Sequence, residues 1–267
     1  MELDIPDFLR PWKHCSAGVF VYDLAVCQEK GLLEDEGDEL MSAAYADGYG
    51  FKVDQLVHEW ARDQILKISA DRNRKVDILD LGGGLGGFCD LVSPVVRRYL
   101  NLEPSQLPVD HKFAERLRRG DYFHLRASAH EIPIDDEKLD VVVAIASLDH
   151  IPSVELALSE VRRVLRPGGI FLFTINNKHS WWKKLLAGTR FLERREASIL
   201  KDHYFMWGPS DAEKIVGKYL SKLCLSTTCF VPQVPKLWNL GFPILERLGS
   251  ATHSLMGSNI LGAFKKI

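Results

Sequence analysis

Two rhythms of apolar residues organise most of this chain. Between residues 51 and 68, Val53, Leu56, Val57, Trp60, Ala61, Ile65 and Ile68 recur at three-and-four spacing, the pattern of a helix with one face laid on a sheet. From residue 76 the rhythm changes to short apolar runs separated by helical stretches. Residues 76–81, 99–102, 122–125, 141–146 and 170–175 read as strands, with later ones at 223–231 and 259–264. The run 141–146 is almost wholly apolar, as a strand covered on both faces is. Helices are expected at 86–92, 109–118 and 210–220. Another starts after Ser153, a capping residue, with the stripe Val154, Ala157, Leu158, Val161 and Leu165. Arg166-Pro167-Gly168-Gly169 ends that helix, since proline disfavours helix in the residue before it and glycine permits a reversal. Strand–helix alternation with short links predicts an α/β fold: a doubly wound, mostly parallel seven-stranded sheet.

The ends and the late segments depart from that rhythm. Residues 1–50 read as an N-terminal cap segment and 51–267 as the main domain. Two insertions, at about 177–209 and 233–257, are rich in aromatic and apolar residues and read as helical lids. Hydrophobic content of 46% beside 26% charged residues is that of a globular protein with ample core. A formal charge of -2 supplies no electrostatic reason for a nucleic-acid partner. The acidic start lacks the basic and apolar regions of a signal peptide, and no apolar run is long enough to span a membrane. The 5 cysteines are an odd number without C-x-x-C or zinc spacing, so no metal site is expected, and buried thiols in a reducing cytoplasm are.

Chemistry concentrates at Val76-Asp77-Ile78-Leu79-Asp80-Leu81-Gly82-Gly83-Gly84-Leu85-Gly86-Gly87. A strand runs into a glycine-rich turn with a carboxylate just before it, and a helix starting there aims free N–H groups at a ligand. Gly82, Gly84 and Gly87 fit the dinucleotide spacing, while Gly82, Gly84 and Gly86 fit G-x-G-x-G. Glu103 lies about twenty residues on, where a ribose-binding acid belongs. The glycines alone therefore leave a nicotinamide cofactor open.

Four further segments narrow the choice: Glu103 after the second strand, Ser128-Ala129-His130-Glu131-Ile132-Pro133-Ile134, Leu139-Asp140-Val141-Val142-Val143 leading to Leu148-Asp149-His150-Ile151, and Arg163-Val164-Leu165-Arg166-Pro167-Gly168-Gly169. Together with the turn, in this order, they resemble the class I S-adenosylmethionine-dependent methyltransferases, small-molecule type. The resemblance covers roughly residues 51–176 well and the rest more loosely. It implies the Rossmann-like methyltransferase fold and S-adenosylmethionine as cofactor. Asp80 would attract the α-ammonium, and Gly82, Gly83 and Gly84 would let the ligand lie on bare backbone. Glu103, beside Pro104, would take both ribose hydroxyls. Leu102, Ile132 and the backbone N–H groups of Ala129 and His130 would hold the adenine, with Ser128 where the family usually has an acid. Ala146 falls at the same crevice. Tyr45 and Tyr49 resemble aromatics of a cap over the cofactor.

The acceptor side is sparser. Asp149 and His150 follow the fourth strand, and His203 and Tyr204 sit on the first lid. His150, His203 and Tyr204 are the candidates for an acceptor base or ligand. No Gly-x-Ser-x-Gly elbow, His-Glu-x-x-His or Walker lysine is present. The expected activity is methyl transfer to a small or medium-sized organic acceptor, at oxygen before nitrogen or carbon. The rivals are a nicotinamide-dependent oxidoreductase and a cofactor-binding protein without catalysis. The apolar insertions suggest a hydrophobic acceptor. Trp181-Trp182-Lys183-Lys184 also has the make-up of a membrane-interface segment.

Overall fold

A computed structural model describes residues 5–16, 18–32, 52–107, 110–185, 188–189, 203–230, 244, 246–249 and 255–267. Among them lie nine strands: β1 (His14–Ser16), β2 (Val19–Val21), β3 (Val76–Leu81), β4 (Val96–Leu102), β5 (Tyr122–Arg126), β6 (Leu139–Ile145), β7 (Leu165–Asn176), β8 (Ser221–Thr228) and β9 (Asn259–Lys265). They form one sheet in the order β1-β2-β5-β4-β3-β6-β7-β9-β8. The strands from β2 to β7 run parallel, and β9 is antiparallel to both β7 and β8. The expected seven strands are all here. The sheet is wider because β1 and β2 add an edge.

That edge corrects the reading of residues 1–50 as a cap throughout. β2 pairs with β5 in parallel, Phe20 opposite Leu125, and the buried Phe20 ring meets Trp12 edge-on at 5.1 Å. Three-residue strands carry too few alternations to show in a sequence. The later part of the segment, including Tyr45 and Tyr49, lies outside the described residues.

The chain leaves β3 toward β4 on one side and returns to β6 on the other, so β3 and β6 flank the point where strand order reverses. Ligands bind above such a point, at the carboxyl ends of the strands. Both faces are covered. The helix Val154–Val164 puts Val154, Ala157, Leu158 and Val161 into one core, while Leu165, expected on its stripe, already belongs to β7; the helix Lys52–Arg72 puts Ala61, Ile65 and Ile68 against the sheet's other side. Ser153 precedes the first of these helices as expected but does not cap it with its side chain. Its backbone is left-handed (φ +47°), which turns the hydroxyl away from the first-turn amides. The Arg-Pro-Gly-Gly turn is stitched to the last strand, Gly168 N–H donating to Lys266 O at 2.8 Å.

The amino ends of β3 and β6 hold a separate charge cluster. The buried Asp140 carboxylate accepts from Arg72 (2.5 Å), Arg74 (2.6 Å) and Arg166 (3.0 Å), and buried Asp77 pairs with Arg97. Burial alone would raise the Asp140 pKa. The Arg74 hydrogen bond, the Asp77 N–H and the arginine charges outweigh it and hold the carboxyl below its usual range. A depressed carboxyl stabilises the fold above the unfolded value near pH 4 and loses that contribution as pH falls. Asp140→Asn should therefore lower unfolding stability by about 3 kcal/mol at pH 7, the lower edge for a broken buried pair because the arginines are partly exposed. The difference should shrink in urea titrations as pH falls below 4.

Candidate functional site

The glycine turn lies where the switch point requires. It follows β3 directly, with Gly82, Gly84 and Gly86 at positive φ. The structure gives the glycines an internal reason beside the ligand. A Cβ on Gly83 would sit 2.1 Å from Asn101 Oδ1 and 2.3 Å from Asp80 Oδ2, and one on Gly82 would sit 2.7 Å from Ser147 Cβ. The turn is thus pressed onto a buried polar layer. Asp80 on β3 accepts from the Tyr99 hydroxyl, Asn101 on β4 donates to Gly84 O at 2.6 Å, and His124 on β5 lies 3.0 Å from the same amide. Tyr99, Asn101 and His124 were not singled out in the sequence. A polar residue inside an apolar strand, such as Asn101 in Tyr-Leu-Asn-Leu, was the available signal.

Glu103 ends β4 beside this layer. Its Oε2 accepts from Gly84 N–H at 3.2 Å and its Oε1 from Ser105 N–H at 3.1 Å. A carboxylate accepts several hydrogen bonds at once, the chemistry that a ribose diol calls for. Pro104, next along, fixes the bend after the strand, its carbonyl held by Arg126 at 3.1 Å. The group fits a cofactor with one cationic end and a diol: one carboxylate under the turn, a second at its rim.

Burial pushes Asp80 up to about 7, against the Tyr99 hydrogen bond and with help from the Glu103 charge. A carboxyl raised in this way is half protonated near neutrality. An ammonium group placed beside it favours the charged form, so ligand binding expels a proton below pH 7. Affinity for S-adenosylmethionine should rise as pH approaches 7, by up to about tenfold per unit. Calorimetry in two buffers of different ionisation enthalpy should show proton release near pH 6. A pH-independent affinity with no proton release would contradict the role of Asp80.

On the expected adenine side, Leu102 and Ile132 are buried in the main core. The His130 N–H is taken by Ser128 Oγ at 3.2 Å, and that hydroxyl also meets His130 Nδ1 at 3.0 Å. The His130 ring reaches the Pro152 carbonyl with Nε2. A carbonyl only accepts, so Nε2 carries the proton and Nδ1 takes the serine hydroxyl. Burial, partly offset by the Pro152 bond, lowers the His130 pKa and keeps it neutral. Ser128 and His130 therefore brace two loops together, and Ala129 between them is also buried.

Opposite the turn, the chain after β6 makes a tight corner. Ala146 adopts φ +50°, rare for a residue with a Cβ, and its N–H donates to both Thr174 O and Oγ1 at 3.0 Å. Strained backbone of this kind persists where the surroundings over-determine it. The corner delivers Asp149 and His150. The segment 203–207 crosses above, tied down by Tyr204 N–H to Asp149 O at 2.9 Å. His203 Nε2 lies 3.2 Å from Asp149 Oδ2, and the His150 and His203 ring centroids are 4.2 Å apart. Asp149 is 2% exposed. Its pKa, which burial would raise, is instead lowered by the His203 hydrogen bond and by the charges of His203 and His150. The Asn176 side-chain amide lies 3.3 Å from the same His203 nitrogen, and an ionised carboxylate beside an imidazole favours its protonated form. Two of the three acceptor-side candidates thus meet. Tyr204, 47% exposed, turns to solvent beside them. Asp149 was noted only as facing the crevice, and its part in orienting His203 depends on a contact the sequence does not reveal.

The tryptophan pair is not free for a ligand or a membrane. Trp182 is 1% exposed and donates to Ser258 Oγ, while the Trp181 indole donates to Phe230 O at 2.6 Å. Lys183 is buried as well, its ammonium on Asn177 O at 3.3 Å. The short helix Trp181–Leu185 packs into the chain's own body. No helix among the described residues is long and apolar enough to cross a membrane.

Known proteins resemble this chain in sequence and in fold. Residues 79–173 fit the family described as a methyltransferase domain. A probable S-adenosylmethionine-dependent methyltransferase of Mycolicibacterium smegmatis is 31% identical over 142 residues, 53% of this chain and 51% of that protein. The phthiotriol/phenolphthiotriol dimycocerosates methyltransferase of Mycobacterium tuberculosis is 33% identical over 127 residues, 45% of this chain and 46% of that one. The chain thus spans about half the length of these curated relatives. Among solved structures, Burkholderia thailandensis 1,6-didemethyltoxoflavin-N1-methyltransferase, crystallised with 1,6-didemethyltoxoflavin and S-adenosylhomocysteine, shares the fold. Its TM-score is 0.57 at 14% identity, over 90% of this chain and 89% of that one.

Proposed function

We propose that the chain is a class I S-adenosylmethionine-dependent methyltransferase, a reading supported by the methyltransferase-domain match over residues 79–173 and by the 31% identical relative, and that it moves the cofactor's methyl group to the oxygen of a small or medium-sized, hydrophobic organic acceptor. The observation that carries this reading is the Asp149–His203 pair, 3.2 Å apart at the carboxyl end of β6. It stands at the same end of the sheet as the glycine turn and Glu103. Methyl transfer is an in-line displacement, so most of its acceleration comes from holding the acceptor on axis at about 3–3.5 Å. A hydroxyl acceptor must also lose its proton, more urgently than an amine does. His203, held by Asp149, is placed to take that proton. Asp80 and Glu103 would hold the cofactor's ammonium and ribose.

An apolar acceptor is supported by the chain around His203. Tyr204 is exposed, and the neighbouring Phe205 and Trp207 rings stack at 4.4 Å. A ligand site of this kind is mostly apolar with a few polar anchors. The Mycobacterium tuberculosis relative is named for phthiotriol and phenolphthiotriol dimycocerosates, and a Gibberella zeae relative is named as a sterol 24-C-methyltransferase. The test is a radiolabelled-methyl assay on solvent-fractionated extracts, run beside equilibrium dialysis with S-adenosylmethionine and with NAD. Label in the organic fraction and binding of S-adenosylmethionine alone are expected. Binding of NAD instead, or label confined to the aqueous fraction, would overturn the reading.

A further inference from the structure

We infer that Asp149, His150 and His203 form a binding site for one divalent transition-metal ion of the zinc class. Each offers one ligand atom, and the three atoms lie within 4.8 Å of one another. Two imidazoles and one carboxylate are a ligand set that zinc, iron and cobalt share. Metal–ligand bonds of about 2.0–2.1 Å put neighbouring ligands about 3.0–3.4 Å apart. The Asp149 Oδ2 and His203 Nε2 atoms, at 3.2 Å, already meet that distance. His150 is exposed, so its side chain can close the remaining ångström or so by rotation.

A second, independent observation points to a cation. Asp149 Oδ1 is buried and has no hydrogen-bond partner. An ionised carboxylate with one oxygen left unsatisfied in a dry setting costs free energy. A cation held by both oxygens of this carboxylate, Oδ2 beside His203 and Oδ1 otherwise unsatisfied, removes that cost. The backbone also holds the ligands in place without help from a metal. Tyr204 N–H on Asp149 O ties the segment carrying His203 to the corner carrying the other two. Three protein ligands leave a coordination position open on the exposed His150 side, the arrangement of sites that bind a water or a substrate oxygen. An acceptor hydroxyl there would lose its proton to bulk more readily, and His203 would then serve as ligand rather than base. The sequence held no zinc spacing, since the site depends on two segments brought together only by the fold.

The site concerns the acceptor side of the proposed reaction but does not require that reaction, and binding is measured without cofactor or acceptor. The full-length protein, stripped with chelator, is titrated with Zn²⁺ by calorimetry and with Co²⁺ by visible absorption. One equivalent is expected to bind at micromolar concentration or below, with a Co²⁺ spectrum lacking thiolate charge transfer, since no cysteine is in the set. Zn²⁺ should raise the Tm by mass action. His150→Ala should weaken binding at least tenfold and His203→Ala or Asp149→Asn should abolish it, while His111→Ala, a surface histidine, should change nothing. His150 is exposed, so its variant remains informative even if the Asp149 variant fails to fold. The absence of a saturable site, or a site that His150→Ala and His203→Ala leave unchanged, would overturn the inference. Either result leaves S-adenosylmethionine binding and methyl transfer to be judged on their own assays.

Discussion

His203→Ala is expected to lower methyl-transfer turnover by about 10²–10⁴-fold, the range for loss of a general base, while affinity for S-adenosylmethionine stays near normal. The split follows from the geometry. His203 belongs to the Asp149 corner, its Nε2 3.2 Å from that carboxylate and 3.3 Å from the Asn176 amide. Asp149→Asn should produce a smaller loss of the same kind, because an amide still accepts from the imidazole but no longer favours its protonated form. His150→Ala should fall between the two if its ring, 4.2 Å from that of His203, positions the acceptor. Single-turnover kinetics with saturating cofactor separate these effects from binding. Full activity in the His203 and His150 variants, single and double, would leave positioning alone as the source of the rate.

The second large effect is expected at Glu103. Its replacement by alanine removes two charge-assisted hydrogen bonds to the ribose, worth about 1.5–3 kcal/mol each. It also frees the Gly84 and Ser105 N–H groups that the carboxylate now holds. Affinity for S-adenosylmethionine should fall by at least about a hundredfold. Glu103→Gln keeps an acceptor for the backbone and should recover part of the loss. Thermal unfolding of the ligand-free protein distinguishes a weakened turn from a weakened ligand contact. An alanine variant with unchanged affinity would remove Glu103 from the cofactor site.

How far the sequence could be read depends on the range of the forces involved. The central strands were legible because strands covered on both faces must be continuously apolar, and residues 76–81 and 141–145 are buried almost throughout. The helix Val154–Val164 announced itself by its stripe. The edge strands His14–Ser16 and Val19–Val21 did not, because three residues show no period and their pairing depends on β5. The places of Asp80 and Glu103, beside a strand end and a glycine turn, were legible because both follow from local sequence. The layer beneath them was not, since the polar contacts of Asn101 and His124 cross three strands. Ser128 and His130 looked like ligand contacts by their position in the loop, but they satisfy one another. The tryptophan pair shows the same limit. An aromatic-rich insertion has the same composition whether it lines a pocket or fills a core, and here the indole N–H groups find partners within the chain. Asp149 and His203 lie on separate segments, brought together by ties such as Tyr204 N–H on Asp149 O and Lys178 N–H on Trp207 O.

The most direct test is a crystal structure of the protein with S-adenosylhomocysteine. The account predicts the ribose hydroxyls on the Glu103 carboxylate, the amino group on the Asp80 side of the glycine turn, and the sulfur facing Asp149, His150 and His203. Ligand bound elsewhere, or a sulfur turned away from those three residues, would contradict it.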